Sequence, residues 1–244
     1  MLIVLKEHAL FNASNMDIFK NKTILITGGT GYFGQAFSKL MLQEHKPKEL
    51  IIYSRDEIKQ ALMKQHFLNY GSIRFIAGDI CNLVCLSNAF KGVDYVVHAA
   101  VFKPDGAIEY NPYKVVGTNV IGAMNVIEAA LKRKVKKVIA LSTNKIHEPI
   151  NLYGATKICS DRLFIDANAY FSKKWPKLSV IRYGNIFKNK HSIITLFGKM
   201  KNESVSLSNN SNATVRLWIT LDEAVRFAIR CFECMHGGEI FFPE

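Results

Sequence analysis

The sequence predicts an α/β chain built on a doubly wound parallel sheet. Three observations predict it: seven short apolar runs rich in Ile and Val, longer helical patterns between them, and a glycine-rich turn directly after the first run. Runs that are apolar throughout, rather than alternating, belong to strands covered on both faces. Strand, helix, strand in repetition gives right-handed crossovers and a parallel sheet. The 244 residues suit one large domain or a domain with a small lobe.

The runs, in order, are TILIT (23–27), ELIIYS (49–54), IRFIAG (73–78), DYVVHAA (94–100), KVIALST (137–143), LSVIRYG (178–184) and GEIFF (238–242). Between the fourth and fifth, Val116, Val120, Ala123, Val126 and Ala130 recur at spacings of three and four, which predicts one helix over 111–133. The polar stretch SLSNNSNATV (206–215) reads as a loop. The first fifteen residues, MLIVLKEHALFNASN, read as an N-terminal extension to a domain over 16–244. They lack the basic start and the apolar length of a secretion signal. No run approaches the roughly 20 apolar residues of a membrane span. A soluble protein is expected.

The net charge of +12 admits phosphate-bearing ligands as readily as nucleic acid or membrane. The lysines are scattered, and no basic run is interleaved with aromatics as in single-strand binders. The densest run, Lys132 to Lys137, reads as a solvated helix end, where the dipole favours cations. The five cysteines, at 81, 85, 159, 231 and 234, read as reduced core thiols. Cys231 and Cys234 have redox or zinc spacing but no second pair in sequence, so no metal is expected.

The turn after the first strand is TGGTGYFG, with Gly28, Gly31 and Gly34 spaced G-x-x-G-x-x-G. The first permits the tight turn, the second lets backbone approach a pyrophosphate, and the third lets the helix pack on the sheet. Thr30, Tyr32 and Phe33 share this turn and the helix start, whose amides would face the phosphates. A strand before it and a helix after it make this a Rossmann-type dinucleotide site. Arg55 lies 21 residues beyond Gly34, at the second strand's tip, where the adenine ribose belongs. An arginine there suits the 2′-phosphate of NADP, so Ser54, Arg55 and Lys59 point to NADP, with Asp56 or Glu57 as alternative ribose partners. Asp79 and Ile80 follow the third strand at the adenine edge, and Ala99 and Ala100 offer small side chains after the fourth.

The stretch STNKIHEPINLYGATK (142–157) carries the chemistry. Tyr153 and Lys157 stand four apart, on one face of a helix. Lys157 and a nicotinamide cation would favour the phenolate, and Tyr153 would then take a proton from a sugar hydroxyl. Thr143, at the preceding strand's end, would share that hydroxyl.

Together KTILITGGTGYFG, IIYSRDEIKQ, GVDYVVHAA, IEYNP, ALSTNK, PINLYGATK, RYGN and RLWITLDEAV resemble an extended short-chain dehydrogenase/reductase of the nucleotide-sugar branch. More closely, they resemble the inverting UDP-N-acetylglucosamine 4,6-dehydratases of polysaccharide biosynthesis. The resemblance covers Asp17 to the C-terminus. It implies oxidation at C4 by Tyr153 and NADP, removal of the C5 proton, departure of the C6 hydroxyl as water, and hydride return to C6. Lys145 matches the family's base. Asn144 stands where the family has an acidic Asp, and an amide has no proton to donate. Asp105, in FKPDGAIEYNP, is a candidate substitute; the alternative is a solvated turn.

The resemblance also places Lys103, Asn185 and Arg216 at the substrate, Arg216 on the diphosphate. A guanidinium forks onto phosphate oxygens bidentately. The loop FKNKHSI (187–193) replaces a glycine-containing loop, leaving Lys188, Lys190 and His191 to meet the diphosphate. The chain stops at GEIFFPE, where the family continues, so a reduced or truncated substrate lobe is expected, formed by segments from about 185–216 and near the C-terminus. A cytoplasmic homo-oligomer acting on a UDP-sugar, with no nucleic-acid or membrane partner, completes the expectation. Rival readings are a nucleotide-sugar 4-epimerase or ketoreductase, and an NADP-binding member without turnover.

Overall fold

The computed structural model describes residues 2–5, 17–103, 111–144, 151–170, 176–187 and 218–243. Asp105, Lys145, Lys188, Lys190, His191, Arg216 and the stretch 206–215 lie outside the described residues. Each predicted run is a strand: β2 (Thr23–Thr27), β3 (Glu49–Ser54), β4 (Ile73–Ala77), β5 (Tyr95–His98), β6 (Lys137–Thr143), β7 (Lys177–Tyr183) and β10 (Ile240–Pro243). Within the expected N-terminal extension, β1 (Leu2–Leu5) runs parallel to β10 at the sheet edge. A separate parallel pair joins β8 (Asn185–Phe187) to β9 (Trp218–Thr220).

The main sheet has the order β1-β10-β7-β6-β5-β2-β3-β4, with every pair parallel. From β2 the chain winds outward through β3 and β4, then returns to β5 on the other side of β2. The crevice at the carboxyl ends of β2 and β5 is therefore the topological switch point, where ligands of open α/β sheets bind.

Helices cover both faces. Alternate strand residues serve opposite layers: Ile24 and Ile26 enter one core, Leu25 the other. The first core takes α1 (Tyr32–Glu44) and α7 (Leu221–Cys234), through Phe33, Phe37, Met41, Phe227 and Phe232. The second takes α3 (Leu83–Ala89), α5 (Gly122–Lys132) and α6 (Leu152–Tyr170), through Leu86, Ala123, Val126 and Phe164. The seventh helix starts on a reciprocal cap: Thr220 Oγ1 accepts from Glu223 N–H, and the Glu223 carboxylate accepts from Thr220 N–H.

The predicted helix over 111–133 winds as α4 (Pro112–Val116), a π turn at Gly117–Ile121, and α5. The π turn adds one residue and shifts the inward face. Val116, expected in the core, is exposed, while Val115, Thr118 and Asn119 are buried. After the turn the expected face resumes at Ala123, Val126 and Ala130.

Of the cysteines expected in the core, only Cys231 is buried; Cys81, Cys85 and Cys159 are exposed and Cys234 is half-buried. The first three sit at the start of α3 and on the outward side of α6, where the apolar pattern covers no sheet. Among the described residues no cluster of three His, Cys, Asp or Glu could hold a metal, and no helix is long and apolar enough to cross a membrane.

Candidate active site

The crevice at the switch point is a cleft of about 350 Å³. Its floor is backbone. Gly28 has φ +66°, and a Cβ there would lie 2.7 Å from Ala100 Cα. Ala100 is held in place from below: its N–H donates to Thr27 Oγ1 (3.3 Å), which is also bonded to His98 Nδ1 (2.8 Å). His98 is buried, and burial together with the nearby Lys157 charge holds its pKa down to about 3. It is therefore a neutral structural imidazole beneath the cleft.

The first helix starts at Gly31, which makes no side-chain cap bond. Gly31 and Thr30 line the cleft. Gly34 packs against the backbone of Gly29, leaving no room for a Cβ. The Phe33 side chain does not face the cleft. It packs 6.2 Å from Phe37 and 6.1 Å from Tyr183, in the core. Tyr32 lines a neighbouring cleft that it shares with Lys59.

At the tip of β3, Asp56 caps α2 (Glu57–His66), accepting from Lys59 N–H at 2.9 Å, and pairs with Lys59 Nζ at 3.1 Å. Asp56 also lines the cleft, at its ribose end. Ser54, Arg55 and Lys59 line the cleft. Ser54 Oγ accepts from Gln60 Nε2 (3.0 Å), and the same amide donates to Ile76 O (2.9 Å), tying β3 to β4. Asp79 has its carboxylate engaged by Cys81 N–H (2.9 Å) and Arg55 (3.4 Å). Burial would raise its pKa, but those two partners outweigh it and hold it low. Ile80, Ala99 and Ala100 line the cleft as expected, joined by Gly78 and Thr118, which sequence reading did not single out.

Across the sheet, Asn151 caps the sixth helix through Gly154 N–H (3.0 Å), which sets Tyr153 in its first turn. Lys157 is buried and its ammonium donates to Leu141 O (2.8 Å), locking the helix face onto the end of β6 that carries Thr143. Burial lowers the Lys157 pKa, with the Asp161 charge opposing. The Tyr153 phenol is pushed up, by burial first and Asp161 second. Burial and the Asp161 charge both disfavour the phenolate expected at 153. Asp161 itself pairs with Arg182 at 2.9 Å behind this face.

Asn144 closes the strand end. Its Oδ1 is buried and has no hydrogen-bond partner among the described residues, which leaves it an acceptor without a described donor. Asn185 lies on β8, half-buried, and Lys103 is exposed after β5. Sequence reading missed Asn119. Its amide accepts from Phe102 N–H (2.8 Å) and donates to Phe102 O (3.0 Å) and Thr156 Oγ1 (3.1 Å), tying the loop after β5 to the helix of Tyr153. A polar residue inside an apolar periodic pattern, two after a glycine, was the available signal.

The residues present fit a dinucleotide: a glycine turn without room for side chains, uncapped helix amides, and cations at the ribose end.

Comparison with known proteins gives the family. The polysaccharide biosynthesis protein family matches residues 24–244. A Campylobacter jejuni protein named UDP-N-acetylglucosamine 4,6-dehydratase (inverting) is 46% identical over 228 residues, 93% of this chain and 68% of that protein. A Rickettsia conorii protein named UDP-glucose 4-epimerase is 38% identical over 230 residues, 93% of this chain and 67% of that one. Among solved structures, Pen from Bacillus thuringiensis matches with TM-score 0.83 and 36% identity, covering 92% of this chain and 69% of that one.

Proposed function

Because the chain belongs to the polysaccharide biosynthesis protein family, as an extended short-chain dehydrogenase/reductase, we propose that it is an NADP-dependent nucleotide-sugar 4,6-dehydratase acting on UDP-N-acetylglucosamine or a close relative. The observation that carries this reading is the buried Lys157–Leu141 bond, which fixes Tyr153 and the strand end of Thr143 and Asn144 on one site.

Gly28, Gly31 and the first amides of α1 would hold the pyrophosphate, and Ser54, Arg55 and Lys59 the 2′-phosphate. When bound, NADP supplies the acceptor for hydride from C4 and the donor to C6. Tyr153 takes the proton of the C4 hydroxyl, and Thr143 orients that hydroxyl. Lys145 removes the C5 proton, acidified by the neighbouring ketone, and C5 regains a proton on its other face as hydride adds to C6. Asn144 accepts a hydrogen bond from the C6 hydroxyl through its unpartnered Oδ1, which orients the leaving group without protonating it. Asp105 is the candidate donor of that proton. Lys103, Asn185 and Arg216 hold the nucleotide end. Cytoplasmic placement and self-association belong to the same proposal.

A second reading rests on Asn144. A 4-epimerase needs only Thr143, Tyr153, Lys157 and the cofactor, so an amide at 144 is no obstacle to it. The test is incubation with NADP⁺ and UDP-N-acetylglucosamine in deuterated water, read by NMR and mass. A 4-keto-6-deoxy product lacking one water and deuterated at C5 supports the dehydratase. An unchanged mass with inverted C4 supports the epimerase. Bound NADP without turnover leaves a cofactor-binding member of the family, and Asn144→Asp then separates a missing acid from a missing lobe.

A further inference from the structure

Every strand of the main sheet is parallel, so all helix-to-strand connections meet at the end opposite the cleft. That end carries much of the chain's positive charge. Backbone bonds place the connections in one row: Lys48 N–H to Lys22 O (2.9 Å), Asp94 N–H to Thr23 O (2.8 Å), Lys136 N–H to Asp94 O (2.9 Å) and Lys177 N–H to Lys136 O (3.0 Å). The row crosses β3, β2, β5, β6 and β7, about 19 Å at ordinary strand spacing. Three of its acids are engaged, Asp94 with Lys136 (2.7 Å), Glu49 with Arg74 (2.7 Å) and Asp17 with His45 (3.1 Å), and Glu233 stands exposed near His45 and Lys137. Around it Lys20, Lys46, Lys48, Lys91, Lys132 and Lys134 are exposed, and none makes an ion pair among the described residues.

Helix dipoles do not account for them. Only Lys132 lies in the last turn of its helix; α1, α3 and α6 have no basic residue there. Two of the lysines sit where lysine is disfavoured. Lys46 (φ 41°) and Lys134 (φ 56°) follow the C-caps of α1 and α5, the left-handed position that glycine fills without a Cβ penalty. Charge is kept there against backbone preference.

We propose that this lysine rim docks the protein on an anionic lipid surface, with the cleft facing solvent. The row follows a sheet end rather than a groove, and none of its lysines lines either cleft described above. Lysines are point charges suited to a diffuse anionic plane, whereas nucleic-acid readers favour bidentate arginine or stacking aromatics. Surface attachment needs no spanning helix, so the proposal departs from the expectation of no membrane partner without conflicting with the lack of a span.

The test is sedimentation with vesicles of phosphatidylglycerol and phosphatidylcholine mixed one to two, against phosphatidylcholine alone, at ~0.15 M salt. Binding is expected to the mixed vesicles only. Replacing Lys46, Lys48, Lys132 and Lys134 by Glu should weaken it by at least about a thousandfold. The milder pair Lys46→Gly and Lys134→Gly should weaken it by about thirtyfold while leaving the melting temperature unchanged or higher. Equal binding to both vesicles, no binding, or binding unchanged in both variants overturns the proposal. Displacement of the vesicles by duplex DNA at the same salt would assign the rim to nucleic acid instead.

Discussion

The turn after β2 and the loop after β6 both sit at carboxyl ends of one parallel sheet, but they are made of different material. After β2 the site is backbone. Gly28 touches Ala100, Gly34 touches Gly29, and the helix begins with amides no side chain caps. After β6 it is side chains: Thr143, Asn144, and the face of α6 bearing Tyr153 and Lys157. The first region fails when atoms are added. The second keeps its shape when a residue is swapped for one of similar size, and changes its chemistry instead. A chain can therefore keep its cofactor site while altering what it does there, which is the situation Asn144 presents.

The largest expected effect tests the side-chain region. Tyr153→Phe should lower turnover by about 10²–10⁴-fold with cofactor affinity retained. Because burial raises the Tyr153 pKa, wild-type turnover should climb with pH through neutrality, and the variant should lose that climb. Steady-state rates across pH check both. Equal losses in turnover and cofactor affinity would erase the distinction between the regions.

Next, Gly28→Ala should do the reverse. A Cβ 2.7 Å from Ala100 Cα, at φ +66°, should weaken NADP binding by at least about tenfold, with a strain of about 1–2 kcal/mol. Isothermal titration and thermal melting measure the two parts.

His98, beneath the backbone region, gives a smaller and pH-dependent effect. Its pKa is about 3 in the fold and 6.5 when free, so the unfolded chain binds its proton first as pH falls. Stability contributed by neutral His98 is complete above 6.5 and declines towards 3, by up to about 1.4 kcal/mol per pH unit. Denaturant titrations of wild type and His98→Asn should show this slope and its loss. The least effect is expected at the cleft's rim. Arg55 is 44% exposed and shared with Asp79, so Arg55→Ala should shift preference from NADP towards NAD by only several-fold, read from the two dissociation constants.

The glycine turn, the strand tips and the Tyr153–Lys157 face were legible because each depends on local spacing. Period and turn chemistry are written into neighbouring residues. What was not legible depends on contacts distant in sequence. Asn119 became part of the site through a π turn, which rotates the helix by one residue and cannot be read from a periodic pattern. His98 meets Thr27 across 71 residues. Asp56 caps the second helix while it lines the cleft, a double placement that spacing alone does not give.

By itself, the sequence determined seven strands of the main sheet, their parallel winding and the switch point, because hydrophobic period and crossover handedness leave few alternatives. Only the tertiary structure decided which charges are spent and which are free. Asp79 pairs with Arg55 and Asp94 with Lys136, and Lys157 is buried on the Leu141 carbonyl, while Lys46 and Lys134 remain exposed at one sheet end. Pairing and burial are set by neighbours in space, and composition counts charges without placing them.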